Sequence, residues 1–223
     1  AERSRDPSAG VLRVGLFPTL APYLLPHVIP GLRSAYPNLR LQLYEEKTAD
    51  ILDMLHAGEL DAGLLALPIA DEGLLTWELF EEPFVLAAPE EHPLAEREKL
   101  TEDDLAGQEL LLLEEGHCLR DQALEVCRLA GAREKVDFHA TSLETLRQMV
   151  AAGTGITLLP TLAIKPPVAA TGHIVLRPFE NDPPHRKIAM VWRASSAMSN
   201  FLGELAPHFA RFDRKLLDPE AAT

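Results

Sequence analysis

Two cysteines, Cys118 and Cys127, stand nine positions apart, and the setting of the first one favours thiol chemistry. Cys118 follows an apolar run and the pair Gly116-His117, at the point where a helical pattern begins. Backbone amides at a helix N-terminus, together with His117 and Arg120, would stabilise a thiolate there. The sequence therefore predicts that Cys118 is a nucleophile.

Cys127 falls on the apolar stripe of the same predicted helix, so we expect it to be buried and unreactive at rest. Nine residues of helix rise about 13.5 Å and turn about 900°, which puts the two thiols half a turn out of phase. A disulfide needs Cα atoms within roughly 7 Å. Oxidation would therefore have to unwind the helix, as in a switch. On spacing alone, an incidental exposed thiol and a core-filling one explain the pattern equally well.

Two other chemistries can be drawn from these residues. A metal site could use His117, Cys118, Cys127 and His139. Zinc ligands usually come in pairs about two to four residues apart, which this spacing does not match. A hydrolytic pair of Cys118 and His117 is weaker still, because neighbours in sequence rarely reach the required geometry. We expect neither a metal nor a cofactor.

The composition sets the class of protein. With 223 residues, 47% of them hydrophobic, the chain can bury the core of one or two compact domains. Its formal net charge of -13 repels polyanions, so it is a poor candidate to bind DNA or an anionic membrane by itself. Apolar runs long enough for a membrane span and a secretion signal are both missing, which predicts a cytoplasmic protein without membrane contact. Residues 1–10 are interpreted as the remnant of a linker from a longer protein.

Short apolar runs alternate with segments of helical period, which is typical of an α/β fold. A first series predicts strands over 11–17, 39–46 and 60–67, and prolines in its first helix should delay or kink that helix. A second series includes a helix from about Leu119 to Ala130. The chain then forms a strand over Arg186–Ala194 and a helix over Met198–Leu217, which we assign to the first subdomain. We expect two subdomains joined by two crossovers, built from residues 11–82 with 186–223 and from residues 83–185.

Four segments carry a family resemblance: FPTLAPYLLPHVIP, EEPFVLAAPEEHPLA, EEGHCLRDQALEVC and HATSLETLRQMVAAGTGITLLP. From about Val11 to the last helix, the chain resembles the regulatory domain of peroxide-sensing transcription regulators of the LysR type. The last segment is shared by many LysR-type effector domains, whereas GHCLRDQ followed by a second cysteine is much more specific. The resemblance implies a two-lobed fold like that of periplasmic binding proteins, with Rossmann-like subdomains. It also implies an N-terminal winged helix-turn-helix that is absent from this chain.

The resemblance assigns roles to both cysteines. Cys118 matches the peroxidatic thiol and Cys127 the resolving thiol, so peroxide would oxidise the first and the second would close a disulfide. The implied partners are hydrogen peroxide, further copies of the chain as a homodimer or a homotetramer of the full protein, DNA through the missing domain, and RNA polymerase. We therefore expect a transcription regulator with stoichiometric thiol chemistry, not an enzyme.

Further positions match the family's peroxide pocket: Thr19, Thr48, Gly116 and His117, with Arg120 and Asp121 as supporting residues. Both threonines follow strands of the first subdomain, where the strand ends of an open α/β sheet face a ligand crevice. Their hydroxyls can donate to and accept from a peroxide. On the residues alone, helix capping is the more frequent role for such threonines. His139 departs from the family pattern.

Two rival functions stay open. A thiol peroxidase would use the same two cysteines, although the chain has no C-x-x-C pattern. An effector or solute-binding domain for a small organic ligand needs no redox role for either cysteine. Multiple turnovers of peroxide would favour the first, and stabilisation by a metabolite but not by oxidation would favour the second.

Overall fold

The computed structural model describes residues 7–222, and these residues form two compact units. Unit 1 comprises residues 7–81 and 187–213, and unit 2 comprises residues 82–186 and 214–222. Alternating strands and helices build both units, so the predicted α/β class is confirmed. Residues 1–6, which make up most of the expected linker remnant, lie outside the described residues.

Unit 1 is a sheet covered by helices. Its elements are β1 (Val11–Leu16), α1 (Ala21–Ala35), β2 (Arg40–Glu45), α2 (Thr48–Ala57), β3 (Ala62–Ala66) and α5 (Ser199–Leu205), with parts of the long strands β4 (Leu74–Pro89) and β9 (His185–Arg193). β1 pairs in parallel with both β2 and β3, and β9 runs antiparallel to β3. The carboxyl ends of β1 and β2 therefore lie at the same edge of the sheet.

Two glycines let α2 pack closely on this sheet. A Cβ added at Gly15 of β1 would lie 2.7 Å from Leu60, and one at Gly63 of β3 would lie 2.8 Å from Ile51 of α2. Real Cβ atoms essentially never make contacts that short, so a larger residue at either position would force Leu60 or Ile51 to shift. Gly58 then ends α2 with φ 76°, a left-handed conformation that favours glycine.

Unit 2 contains β5 (Glu109–Leu113), α3 (Cys118–Ala130), β6 (Arg133–Ala140), α4 (Leu143–Ala151), β7 (Thr157–Pro160) and β8 (Ile174–Arg177). β7 and β8 both pair antiparallel with the second half of β4, and β5 pairs in parallel with β6. A fully buried ion pair joins Arg186 Nε to Glu82 Oε2 at 2.8 Å, and the other oxygen of Glu82 accepts from the amide of Leu162 at 2.9 Å. Breaking such a pair leaves an uncompensated charge in the core.

The last part of the chain differs from the prediction. Residues 214–222 and Arg186 belong to unit 2, although we expected residues 186–223 in the first subdomain. An ion pair between Glu220 and Lys99 holds this tail to unit 2, and the chain crosses between the units three times instead of two. The predicted helix over Met198–Leu217 is also wrong in extent, because α5 ends at Leu205 and 3-10 turns follow. Pro207 cannot donate the backbone hydrogen bond that would continue the helix.

Candidate functional site

Cys118 is the first residue of α3, which begins one residue earlier than predicted. The loop of residues 114–117 joins β5 to this helix. Gly116 adopts φ 88° in that loop, a left-handed conformation that favours glycine. His117 then takes an extended conformation as the N-cap residue. The thiol of Cys118 is therefore held at a helix N-terminus, where backbone amides favour a thiolate.

The surroundings of Cys118 combine exposure and burial. The thiol-bearing residue is partly exposed, so a small oxidant in water can reach it. His117 is only 5% exposed, and its Nε2 lies 3.9 Å from Oε1 of Glu114. The residue before Cys118 is therefore a buried imidazole with a carboxylate nearby.

Cys127 sits in the opposite kind of environment, near the end of the same helix. It is 3% exposed and packs on the buried face of α3, so its predicted burial is confirmed. Burial, followed by the negative charge of Glu134, raises the pKa of the Cys127 thiol from 9.0 to about 11. Cys127 is therefore a protonated thiol at neutral pH and a poor nucleophile while α3 is intact.

Both cysteines are thiols that are not joined in a disulfide, and α3 is helical from Cys118 to Ala130. Helix geometry then sets a rise of about 13.5 Å between their Cα atoms, roughly twice the reach of a disulfide. The segment between the two cysteines is therefore helical, which was the condition for keeping them too far apart to bond. No disulfide can join these two residues unless part of α3 unwinds.

Arg120, in the first turn of α3, is engaged away from the helix. Its Nη2 donates to Oε2 of Glu134 on β6 at 2.8 Å, its Nη1 donates to the other carboxylate oxygen, and Nη1 also donates to the carbonyl of Leu113 at 3.0 Å. The hydrogen bonds to Glu134 raise the pKa of Arg120 above its ordinary value, against the effect of burial. The expected support of a Cys118 thiolate by Arg120 therefore has to compete with a carboxylate that already neutralises the guanidinium.

Asp121, the other predicted supporting residue, is exposed in the first turn of α3. A negative side chain at this position interacts favourably with the positive end of the helix. Glu134 was not found by sequence analysis, because no local pattern connects it with Arg120. Its contact exists only because β6 pairs with β5 and brings residue 134 opposite Leu110.

Thr19 and Thr48 belong to unit 1, whereas both cysteines belong to unit 2. Thr19 is 2% exposed in the turn between β1 and α1. Thr48 is the first residue of α2, and the N-cap position is occupied by Lys47. The alternative role of Thr48 as a helix cap is therefore wrong. Its Oγ1 is buried and has no hydrogen-bond partner among residues 7–222, which leaves a hydroxyl able to bind a small polar ligand.

The metal alternative also has a structural answer. Within residues 7–222, no group of three or more His, Cys, Asp or Glu side chains is arranged to hold a metal ion. His139, which that alternative required, is more than half exposed and lies 3.9 Å from Glu134. In the same part of the chain, no helix has the length and apolar character needed to cross a membrane.

Comparison with known proteins decides the family. Residues 5–211 match the LysR substrate binding domain. The chain belongs to this family. It is 47% identical over 206 residues to a protein of Escherichia coli O6:H1 named hydrogen peroxide-inducible genes activator. The matched residues make up 92% of this chain and 67% of that protein.

Solved structures support the same LysR assignment. The reduced form of OxyR is similar with a TM-score of 0.82 and 45% identity, covering 92% of this chain and 96% of that one. The oxidised form of OxyR is similar with a TM-score of 0.81 and 47% identity, and the match covers 94% of this chain and 97% of that one. The family resemblance drawn from the four sequence segments is confirmed, together with the periplasmic-binding-protein-like α/β class.

Proposed function

We propose that this chain is the hydrogen-peroxide-sensing regulatory domain of a LysR-type transcription regulator. One observation carries the proposal: a partly exposed cysteine starts α3, and a buried cysteine lies nine positions later in the same helix. The similarity to a hydrogen peroxide-inducible genes activator, and to OxyR in reduced and oxidised forms, agrees with a thiol switch.

The first step is oxidation of Cys118. Its thiolate attacks one oxygen of hydrogen peroxide, a sulfur–oxygen bond forms and the oxygen–oxygen bond breaks. The leaving hydroxide takes up a proton and becomes water, and Cys118 becomes a sulfenic acid. The N-terminus of α3 favours this step because it stabilises the thiolate.

The second step closes the disulfide. The Cys127 sulfur attacks the sulfenic sulfur of Cys118, a sulfur–sulfur bond forms and the sulfur–oxygen bond breaks. The departing hydroxide combines with the proton lost by Cys127 to give a second water. The helical geometry requires α3 to unwind before this attack, so the chemistry is coupled to a rearrangement of unit 2.

Four residues are proposed to bind the peroxide: Thr19, Thr48, Gly116 and His117. The unpartnered hydroxyl of Thr48 supports this role, because peroxide can both donate to it and accept from it. Arg120 and Asp121 are proposed as supporting residues at the first turn of α3.

The regulatory output is proposed to pass through assembly. Unwinding α3 would expose its buried residues, among them Leu119, and a symmetric contact with another copy would cover such a patch. We propose that the domain acts as a homodimer, and as a homotetramer in a longer protein whose N-terminal winged helix-turn-helix binds DNA. Contact with RNA polymerase and action in the cytoplasm follow from that role.

Intact mass with thiol labelling, before and after one equivalent of peroxide, tests the proposal. The parent domain should lose two free thiols and two hydrogens in mass. Cys127→Ser should gain one oxygen at Cys118, and Cys118→Ser should stay almost unreactive. Equal reactivity of both variants would contradict the assigned roles. With a thiol reductant present, sustained turnover far above one peroxide per domain would instead indicate a thiol peroxidase.

A further inference from the structure

The guanidinium of Arg120 joins three elements of unit 2. It belongs to α3, it binds both carboxylate oxygens of Glu134 on β6, and it donates to the carbonyl of Leu113 at the end of β5 at 3.0 Å. The two charged side chains are only 11% and 17% exposed. Two-pronged, charge-assisted bonds between partly buried groups are among the stronger and more directional polar contacts in proteins.

This contact conflicts with disulfide closure. Arg120 lies between the two cysteines, two residues after Cys118, in the segment that must unwind before they can meet. Unwinding moves the Cα of Arg120 away from its helical position. The fork geometry to Glu134 and the bond to Leu113 depend on that position, so both are lost when the first turns of α3 open.

We propose that the Arg120–Glu134 pair is a latch that holds α3 closed in the thiol state, with Glu134 as the positioning residue. The inference rests on the proposed function, since the latch acts on the disulfide step of that switch. Glu134 slows closure of the disulfide and favours its reduction.

The other charged groups near the pair are consistent with this role. Glu115 and Asp121 also act on Arg120, and His139 lies 3.9 Å from Glu134, more than half exposed and not within hydrogen-bond distance. Glu134 also disfavours the thiolate of Cys127. Loss of its charge therefore frees the first turn of α3 and at the same time makes the resolving thiol a better nucleophile.

A second ion pair on the same helix provides a matched control. Arg128 and Glu125 lie three residues apart on α3, with side chains 68% and 56% exposed. They join no other element, and an exposed pair within one helix contributes little to stability. Glu125→Gln thus makes the same chemical change as Glu134→Gln, on α3 instead of β6, without touching the latch.

The experiment compares the regulatory domain with its Glu134→Gln and Glu125→Gln variants. Stopped-flow measurements with peroxide give the rates of sulfenic acid formation and of disulfide closure. Glu134→Gln should raise the second rate about tenfold, the size expected for a lost charged hydrogen bond, and this increase should exceed any change in the first rate. Glu125→Gln should change neither rate. Arg120→Lys, which keeps the charge but loses the fork, should likewise raise the second rate.

A redox titration separates the latch from peroxide sensing. In glutathione buffers, two thiols of the domain and one oxidised glutathione exchange with one protein disulfide and two reduced glutathiones. The Glu134→Gln equilibrium should favour the protein disulfide about tenfold more than that of the parent. Parent-like equilibrium and closure rates in both latch variants would overturn the latch. Failure of Cys118 to react with peroxide in the parent would overturn the proposed function, and the glutathione equilibrium would still decide the latch.

Discussion

The dependence of disulfide closure on pH and on urea tests whether Cys127 leaves α3 before it attacks. Within the intact helix, its pKa is raised from 9.0 to about 11 by burial and by Glu134. At pH 7 only about one Cys127 in ten thousand would be a thiolate in the closed helix, against about one in a hundred once the thiol reaches water. The open helix thus offers about a hundredfold more of the reactive form.

The same shift gives the sign of the effect on α3. A thiol whose pKa is higher in the closed helix binds its proton more tightly there, so the open form holds fewer protons between pH 9 and 11. The stability of the closed helix is therefore complete below pH 9 and falls as the pH rises through that window, by about 3 kcal/mol in all. Alkaline conditions should both open α3 and activate Cys127.

The assay follows the loss of the Cys118 sulfenic acid after a pulse of peroxide, with Cys127→Ser as the control that cannot close a disulfide. Because the cysteines are too far apart in the helix, we expect closure to speed up about tenfold per pH unit up to about pH 11, since a rising pH favours both the open helix and the thiolate. A low concentration of urea, which favours the open helix, should also speed closure, and a rate that urea leaves unchanged would show that Cys127 attacks from its buried position. That result would refute the requirement for prior unwinding.

Four further changes have defined outcomes. Thr48→Val should slow oxidation of Cys118 by about tenfold while thermal unfolding shows no loss of stability, since the buried hydroxyl has no partner to lose; an unchanged oxidation rate would remove it from the pocket. Gly116→Ala should lower the free energy of unfolding by about 1–2 kcal/mol in denaturant titrations, because φ 88° is strained for any residue with a Cβ. Glu82→Gln should cost about 3–5 kcal/mol in the same titrations by stranding buried Arg186, and a smaller loss would mean that water or another group compensates. Oxidation should remove hydrogen-exchange protection from the amides of α3 and leave that of α4 intact; protection kept in both helices would contradict the unwinding.

Local patterns predicted the elements around the cysteines well. The apolar run before Gly116 and the helical spacing after it predicted β5 and α3 to within a residue or two, because strand and helix periods are set by neighbouring residues. The burial of Cys127 followed from the same spacing. The pair of Arg120 and Glu134 was out of reach, because it depends on how β6 registers against β5.

Long-range connections also decided the elements that were wrongly predicted. Nothing in the sequence near residue 214 shows that the tail returns to unit 2, since the partner of Glu220 is Lys99, more than a hundred positions earlier. The role of Thr48 illustrates a different limit. Threonine is a residue type that favours the N-cap position. The structure instead has Lys47 at the N-cap, so Thr48 is the first residue inside α2.

The route of the chain through the two units imposes an order on its synthesis. β3 is buried along its whole length, yet one of its neighbours, β9, pairs with it through Ile188 to Val191. On a ribosome adding about 5–20 residues per second, β3 therefore waits roughly 6–25 seconds for this neighbour, with one edge unpaired. Unit 2, apart from its tail, is complete in the meantime. A nascent chain stalled shortly before Ile188 should consequently expose an aggregation-prone strand and bind chaperones, and crosslinking of stalled ribosomes can measure this.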